Sequence, residues 1–128
     1  MARYLNDWAS MNWDGETGEA AMLREFAIDK SEIDGAEVLV ASSINEGYDG
    51  SAYVLFRRGG RLFEVHAAHH SHYGLDGQWI PEEADADAIL HRIEKGKWGE
   101  EANVKEAVIE ALRKQGRRLE QRQRLRGT

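Results

Sequence analysis

The clearest hydrophobic pattern lies in the centre of the chain and predicts three β-strands. Residues 37–43 (EVLVASS) and 51–58 (SAYVLFRR) are rich in β-branched and aromatic residues, and the polar stretch between them is typical of a turn. Gly59–Gly60 supplies the positive φ angles of a two-residue hairpin turn, and residues 61–66 (RLFEVH) return as the third strand. Because the middle strand is apolar on both faces, this meander needs helices to cover it.

Apolar residues recur at helical spacing on both sides of the predicted strands. Before them, Met22, Leu23, Phe26 and Ala27 predict a short helix from Glu19 to about Lys30, with a strand over residues 23–29 (LREFAID) as the alternative. After them, the proline and acids of residues 79–83 (WIPEE) suit the first turn of a helix that Gly96 would end. Its apolar stripe consists of Ala86, Ile89, Leu90 and Ile93. A last helix carries a second stripe, which continues weakly to Leu119 and is formed by Val104, Ala107, Val108, Ala111 and Leu112.

These elements predict one α+β domain over residues 1–112, in which a three-stranded antiparallel meander is covered by two or three helices. Within it, residues 1–18 are expected to form an irregular arm that docks Trp8 and Trp13. Residues 113–128 are expected to form a basic helical tail. A chain of 128 residues is long enough to bury one core, and the sequence shows neither an internal repeat nor an interdomain linker.

The composition indicates a soluble globular protein of the cytoplasm, which would be the host cytoplasm if the chain is phage-encoded. Hydrophobic residues make up 41% of the chain and charged residues 31%. No apolar run approaches the roughly 20 residues of a membrane helix, and the first residues lack the apolar segment of a secretory signal. Because the chain has no cysteine, disulfides and thiolate metal sites are excluded.

The net charge of −6 conceals an uneven distribution. From Arg113 onward, seven Lys or Arg residues stand against the single acid Glu120, a net charge of +6, which leaves −12 on residues 1–112. An acidic body disfavours binding to phosphates and favours partners with basic surfaces. The basic segment could contact nucleic acid weakly, or an acidic protein surface, or the body of the same chain.

A histidine cluster is the most unusual feature of the sequence. Four of the five histidines, His66, His69, His70 and His72, lie within seven residues. Their imidazoles could converge on a zinc ion if the chain turned sharply at Ala67–Ala68. The further ligands of such a site would be Asp76, Glu64 or His91. The alternative is a polar loop after the strand whose histidines face solvent.

The central stretch resembles a known group of proteins. Residues 47–83 (GYDGSAYVLFRRGGRLFEVHAAHHSHYGLDGQWIPEE) and 89–99 (ILHRIEKGKWG) are similar to segments of small, uncharacterised proteins encoded mainly by phages and prophages. The group's pattern contains H-C-S-C-Y-G-L-E-G-Q-W-x-P-E-E and, later, H-R-(Leu/Ile)-E-x-G. The resemblance covers about residues 36–99, and we know of no activity assigned to the group.

The resemblance implies a phage origin and bears on the histidines. Where the group has H-C-S-C, this chain has His69–His70–Ser71–His72. Cysteine and histidine replace one another most naturally as metal ligands, so the resemblance implies a zinc site there. It also implies that no thiol chemistry operates in this chain.

Charge and resemblance together predict a small binding protein rather than an enzyme. We expect it to inhibit or modulate a host or phage protein with a basic surface, for example a defence complex that handles nucleic acid. The candidate contact residues are Tyr73, Asp76, Glu82 and Glu83. No catalytic residue is assigned, because no reaction-specific motif accompanies the histidines. The competing hypotheses are a metal-dependent hydrolase or nuclease that uses residues 66–72, and a pH sensor based on the same imidazoles. Oligomeric state is left open.

Overall fold

The computed structural model describes residues 3–9, 18–46, 49–70, 75, 77–96, 98 and 101–126. These residues form five strands, three α-helices and one 3-10 helix. In chain order the elements are β1 (Arg3–Asn6), α1 (Gly18–Phe26), the 3-10 helix (Lys30–Ile33), β2 (Ala36–Glu46), β3 (Asp49–Arg58), β4 (Arg61–His70), β5 (Glu82–Ala84), α2 (Ala86–Glu94) and α3 (Ala102–Arg126).

The strands form one mixed sheet in the order β1-β2-β3-β4-β5. The prediction of a three-stranded antiparallel meander is wrong, because the sheet has two further strands and one of them is parallel. The three long strands in its centre do pair in antiparallel fashion. β1 adds a parallel strand beside β2, with Arg3 opposite Val40. β5 adds an antiparallel strand at the other edge, with Glu82 opposite Glu64. The α+β class holds, and the sheet has five strands.

Each face of the sheet buries its own hydrophobic cluster, as expected for a central strand that is apolar on both sides. The first face is covered by α1 and by the indole rings of Trp8 and Trp79. Its strand residues are Val38, Ala41, Ala52, Val54, Phe56, Val65 and Ala67. The second face is covered by α2 and α3. Its strand residues include Leu39, Val40, Tyr53 and Leu55, which pack with Ile89 of α2 and with Val104, Ala107, Val108 and Leu112 of α3.

The hairpin between β3 and β4 forms as predicted. Gly59 and Gly60 have φ angles of 59° and 79°, a region that glycine occupies without steric cost. β4 continues to His70, four residues beyond the predicted end at His66. Ala67–Ala68 therefore lies inside a strand and makes no turn.

The helix expected to start at residues 79–83 begins later. Glu82–Ala84 pairs with β4 as strand β5, and α2 starts at Ala86. The expected end of this helix is confirmed, because Gly96 has a φ of 73° and donates its backbone N–H to the carbonyl of Ile93. α1 ends at Phe26, earlier than about Lys30, and a separate 3-10 helix follows.

The two ends of the described chain also differ in detail from expectation. Residues 1–18 contain strand β1 and are therefore not wholly irregular, and Trp8 is buried as expected for a docked aromatic. Trp13 lies outside the described residues. α3 runs without interruption to Arg126, so the basic segment continues the helix that packs on the sheet. Within the described residues, no helix has the length and apolar character needed to span a bilayer.

Candidate functional site

Only some of the predicted site residues fall in the described parts of the chain. His72, Tyr73 and Asp76 lie outside them. His69 and His70 are the last two residues of β4.

The other proposed metal ligands are separated from one another. His91 is exposed on α2, and the carboxylate of Glu64 is bound by Arg92. Among the residues that the structure describes, no group of three or more His, Asp or Glu side chains could hold a metal ion. The zinc site at His66, His69, His70 and His72 therefore stays a prediction.

A buried ion pair on the second face of the sheet joins β4 to α2. Glu64 lies opposite Leu55 of β3 and is directed toward α2, with 6% of its side chain exposed. Arg92 donates to both of its carboxylate oxygens, over 3.2 Å to Oε1 and 2.6 Å to Oε2. The Tyr53 hydroxyl donates to Oε2 over 2.5 Å. Such charge-assisted bonds are stronger than bonds between neutral groups, so they offset the cost of burying the carboxylate.

Aromatic rings surround this ion pair. The guanidinium of Arg92 lies 5.4 Å from the ring centroid of Trp98, within range of a cation–π contact. Tyr53 meets Trp98 edge-on at 5.3 Å and His66 edge-on at 5.2 Å. Nε2 of His66 lies 3.7 Å from Oε2 of Glu64, close enough for attraction when the imidazole is protonated. The rings of Trp98, Tyr53 and His66 thus cover part of the charged pair.

The environment keeps the carboxyl of Glu64 ionised. Burial alone would raise its pKa, but the interactions with His66, Arg92 and Tyr53 outweigh burial and lower the pKa to about 2. The same contact with Glu64 raises the pKa of Arg92. A carboxylate that stays ionised near neutral pH, with both oxygens engaged, is poorly suited to proton transfer. The pair therefore acts to fix α2 against the sheet.

A second set of charges lies on the surface where β5 forms the edge of the sheet. We call the exposed acids Glu82, Glu83, Asp85 and Asp87 the acidic edge. Only one ion pair with them is found among the described residues, between Arg61 and Glu83 at 3.7 Å. Pairing of β5 with β4 and the start of α2 hold the four residues on ordered backbone. Two of the four, Glu82 and Glu83, are candidate contact residues predicted from the sequence.

The fold and the site together define a small α+β protein in which a mixed five-stranded sheet lies between two helical layers. No protein family matches this sequence, and comparisons with curated proteins and with solved structures also find no match.

Proposed function

We propose that this chain is a phage-type binding protein whose acidic edge contacts a basic surface of a partner protein. The observation that carries the proposal is the grouping of Glu82, Glu83, Asp85 and Asp87, all exposed, along one ordered edge. Complementary charge accelerates encounter and selects the partner's orientation. The net charge of −12 on residues 1–112 adds a long-range attraction to the same basic surface.

The geometry of the described residues favours binding over catalysis. Glu64, the most buried acid among the residues whose burial the structure describes, is held in an ion pair with Arg92 and keeps its charge. The acids of the edge are exposed and sit on backbone that is already ordered, so little backbone conformational entropy is lost when they meet a partner. An ordered edge that exposes several charges is suited to recognition of another protein.

The class of partner follows from charge. A surface that binds nucleic acid carries clustered Lys and Arg, and an acidic protein can occupy it by mimicking the charge of phosphates. The resemblance of residues 36–99 to phage and prophage proteins supports a host protein as the partner. We therefore propose that the chain inhibits or modulates a host factor that handles nucleic acid, such as a defence complex.

Charge-reversal variants test the proposal. The wild-type protein is immobilised and exposed to host lysate at about 0.15 M salt, and the retained proteins are identified and purified. We expect a protein with a basic surface, bound more weakly as salt rises and more weakly by Glu82→Lys/Glu83→Lys. The matched control is Glu101→Lys/Glu106→Lys, which makes the same charge change near α3, the helix that packs beside the opposite edge of the sheet. Retention of no basic protein, or equal loss in both double variants, would contradict the proposal.

A further inference from the structure

One exposed apolar residue stands directly before the acidic edge. Ile80 is 66% exposed, and among the residues whose burial the structure describes, no other large hydrophobic residue is exposed. Isolated apolar residues on a surface are common and by themselves mark nothing. The way in which the fold holds Ile80 distinguishes it from such residues.

The backbone around Ile80 is fixed on its N-terminal side. The side-chain amide of Gln78 accepts a hydrogen bond from the backbone N–H of Ala68 over 2.9 Å and donates one to the carbonyl of Ala68 over 2.8 Å. The neighbouring indole of Trp79 stacks on Phe56 with ring centroids 5.7 Å apart. Ile80 itself donates its backbone N–H to the carbonyl of Gln78 over 2.9 Å.

The backbone is fixed on the C-terminal side as well. Pro81 follows directly, and its ring restricts φ. Strand β5 then pairs with β4, with Glu82 opposite Glu64 and Glu83 opposite Phe63. Ile80 is therefore a short apolar projection on fixed backbone, and the exposed carboxylates of Glu82 and Glu83 follow shortly after it along the chain.

We propose that Ile80 is the apolar anchor of the binding surface and inserts into an apolar pocket that Lys or Arg side chains border on the partner protein. This inference rests on the proposed function and specifies its contact residue. Interfaces commonly place one buried apolar anchor inside a polar rim that excludes water. Charge complementarity between Glu82, Glu83 and such a rim commits the site to a basic protein, and preorganisation of the segment lowers the entropy lost on binding.

The expected effect follows from the area that Ile80 would bury. About two-thirds of the residue is exposed in the free protein. Removal of its three outer carbons by Ile80→Ala should weaken binding about tenfold. Because Ile80 contributes little to the core, the variant should keep the wild-type urea midpoint.

The test uses the partner protein purified by capture on the wild-type chain. Its affinity is measured for wild type, for Ile80→Ala and for the control Ile109→Ala, which removes the same atoms from a partly exposed position on α3. The anchor is supported if Ile80→Ala alone weakens the affinity about tenfold. The loss should be equal at about 0.15 and about 0.5 M salt, since salt does not screen apolar contacts. The effect of Glu82→Lys/Glu83→Lys should shrink at the higher salt.

The outcomes separate the two proposals. If Ile80→Ala binds as tightly as wild type while the double Lys variant binds weakly, the anchor is wrong and the acidic interface stands. Equal losses for Ile80→Ala and Ile109→Ala also overturn the anchor. If the wild type retains no basic protein, the proposed function fails and the anchor fails with it.

Discussion

Removal of the cation from the buried ion pair should destabilise the protein strongly near neutral pH. Arg92→Met keeps most of the apolar stem and leaves the carboxylate of Glu64 without its charged partner. Loss of one member of a fully buried pair costs about 3–5 kcal/mol. Because 34% of the Arg92 side chain is exposed, we expect the lower end, about 3 kcal/mol.

The lowered pKa of Glu64 gives the combined effect of His66, Arg92 and Tyr53 on the carboxylate, net of burial. Its change from an ordinary 4.5 to about 2 corresponds to about 3 kcal/mol. A lowered pKa in the folded state contributes stability that is fully present above pH 4.5 and is lost as the pH falls toward 2. About 2 kcal/mol of it is gone at pH 3. In Arg92→Met, Glu64 stays buried without its cation, so its pKa is higher than in the wild type. The variant therefore loses less free energy of unfolding than the wild type when the pH is lowered to 3.

Urea denaturation followed by circular dichroism at pH 7 and pH 3 measures both effects. The difference in free energy of unfolding between wild type and Arg92→Met should be about 3 kcal/mol at pH 7 and about 1 kcal/mol at pH 3. The matched control is Arg57→Met, which breaks a 2.7 Å ion pair with Glu37, whose side chain is 38% exposed. Its cost should stay below about 1 kcal/mol. Equal costs for the two variants at pH 7, or a pH-independent cost for Arg92→Met, would refute the reasoning.

Three further predictions concern single groups. Tyr53→Phe removes the hydroxyl that donates to the buried carboxylate, and it should lower the free energy of unfolding by about 1.5–3 kcal/mol in the same urea assay; an unchanged value would mean that the bond contributes nothing. Gln78→Ala removes both hydrogen bonds to Ala68, so the Ala68 amide should exchange with deuterium much faster by NMR. Unchanged protection would show that the Gln78 side chain does not shield the backbone of Ala68. The predicted zinc site implies about one equivalent of zinc in protein prepared without a histidine tag, lost in His70→Ala/His72→Ala, and a zinc-free wild type would remove that prediction.

The long strands could be predicted because their signals are local. The runs of β-branched and aromatic residues and the glycine pair at Gly59–Gly60 identify the hairpin without knowledge of the rest of the fold. β1 and β5 could not be predicted in this way, since four and three residues are too few to show a period. The acids Glu82 and Glu83 are uncommon in strands, and Pro81 before them is typical of a helix start. Pairing with β4 overrides that local preference.

The buried ion pair left a partial signal in the sequence. Glu64 lies two positions after Leu62 and therefore on the same face of the third predicted strand. The sequence predicts helices that cover this meander, and a buried acid needs a cation nearby. The sequence could not identify Arg92 as that cation, because the two residues are 28 positions apart and meet only through the packing of α2 on the sheet. The charge of Glu82 and Glu83 is enough to predict that they are exposed. Their place on an edge strand could not be predicted from their charge.

The contact between Gln78 and Ala68 has a consequence for solubility. β4 is ten residues long, but β5 pairs with only three of them, and no other strand in the described part of the chain borders the rest of its outer side. Unpaired strand edges attract strands of other molecules and are common starting points of aggregation. By bonding both backbone groups of Ala68, one side-chain amide takes the place that an intruding strand would use. Light scattering from concentrated Gln78→Ala should therefore rise with time while that of the wild type stays constant, and equal traces would show that the edge is protected in another way.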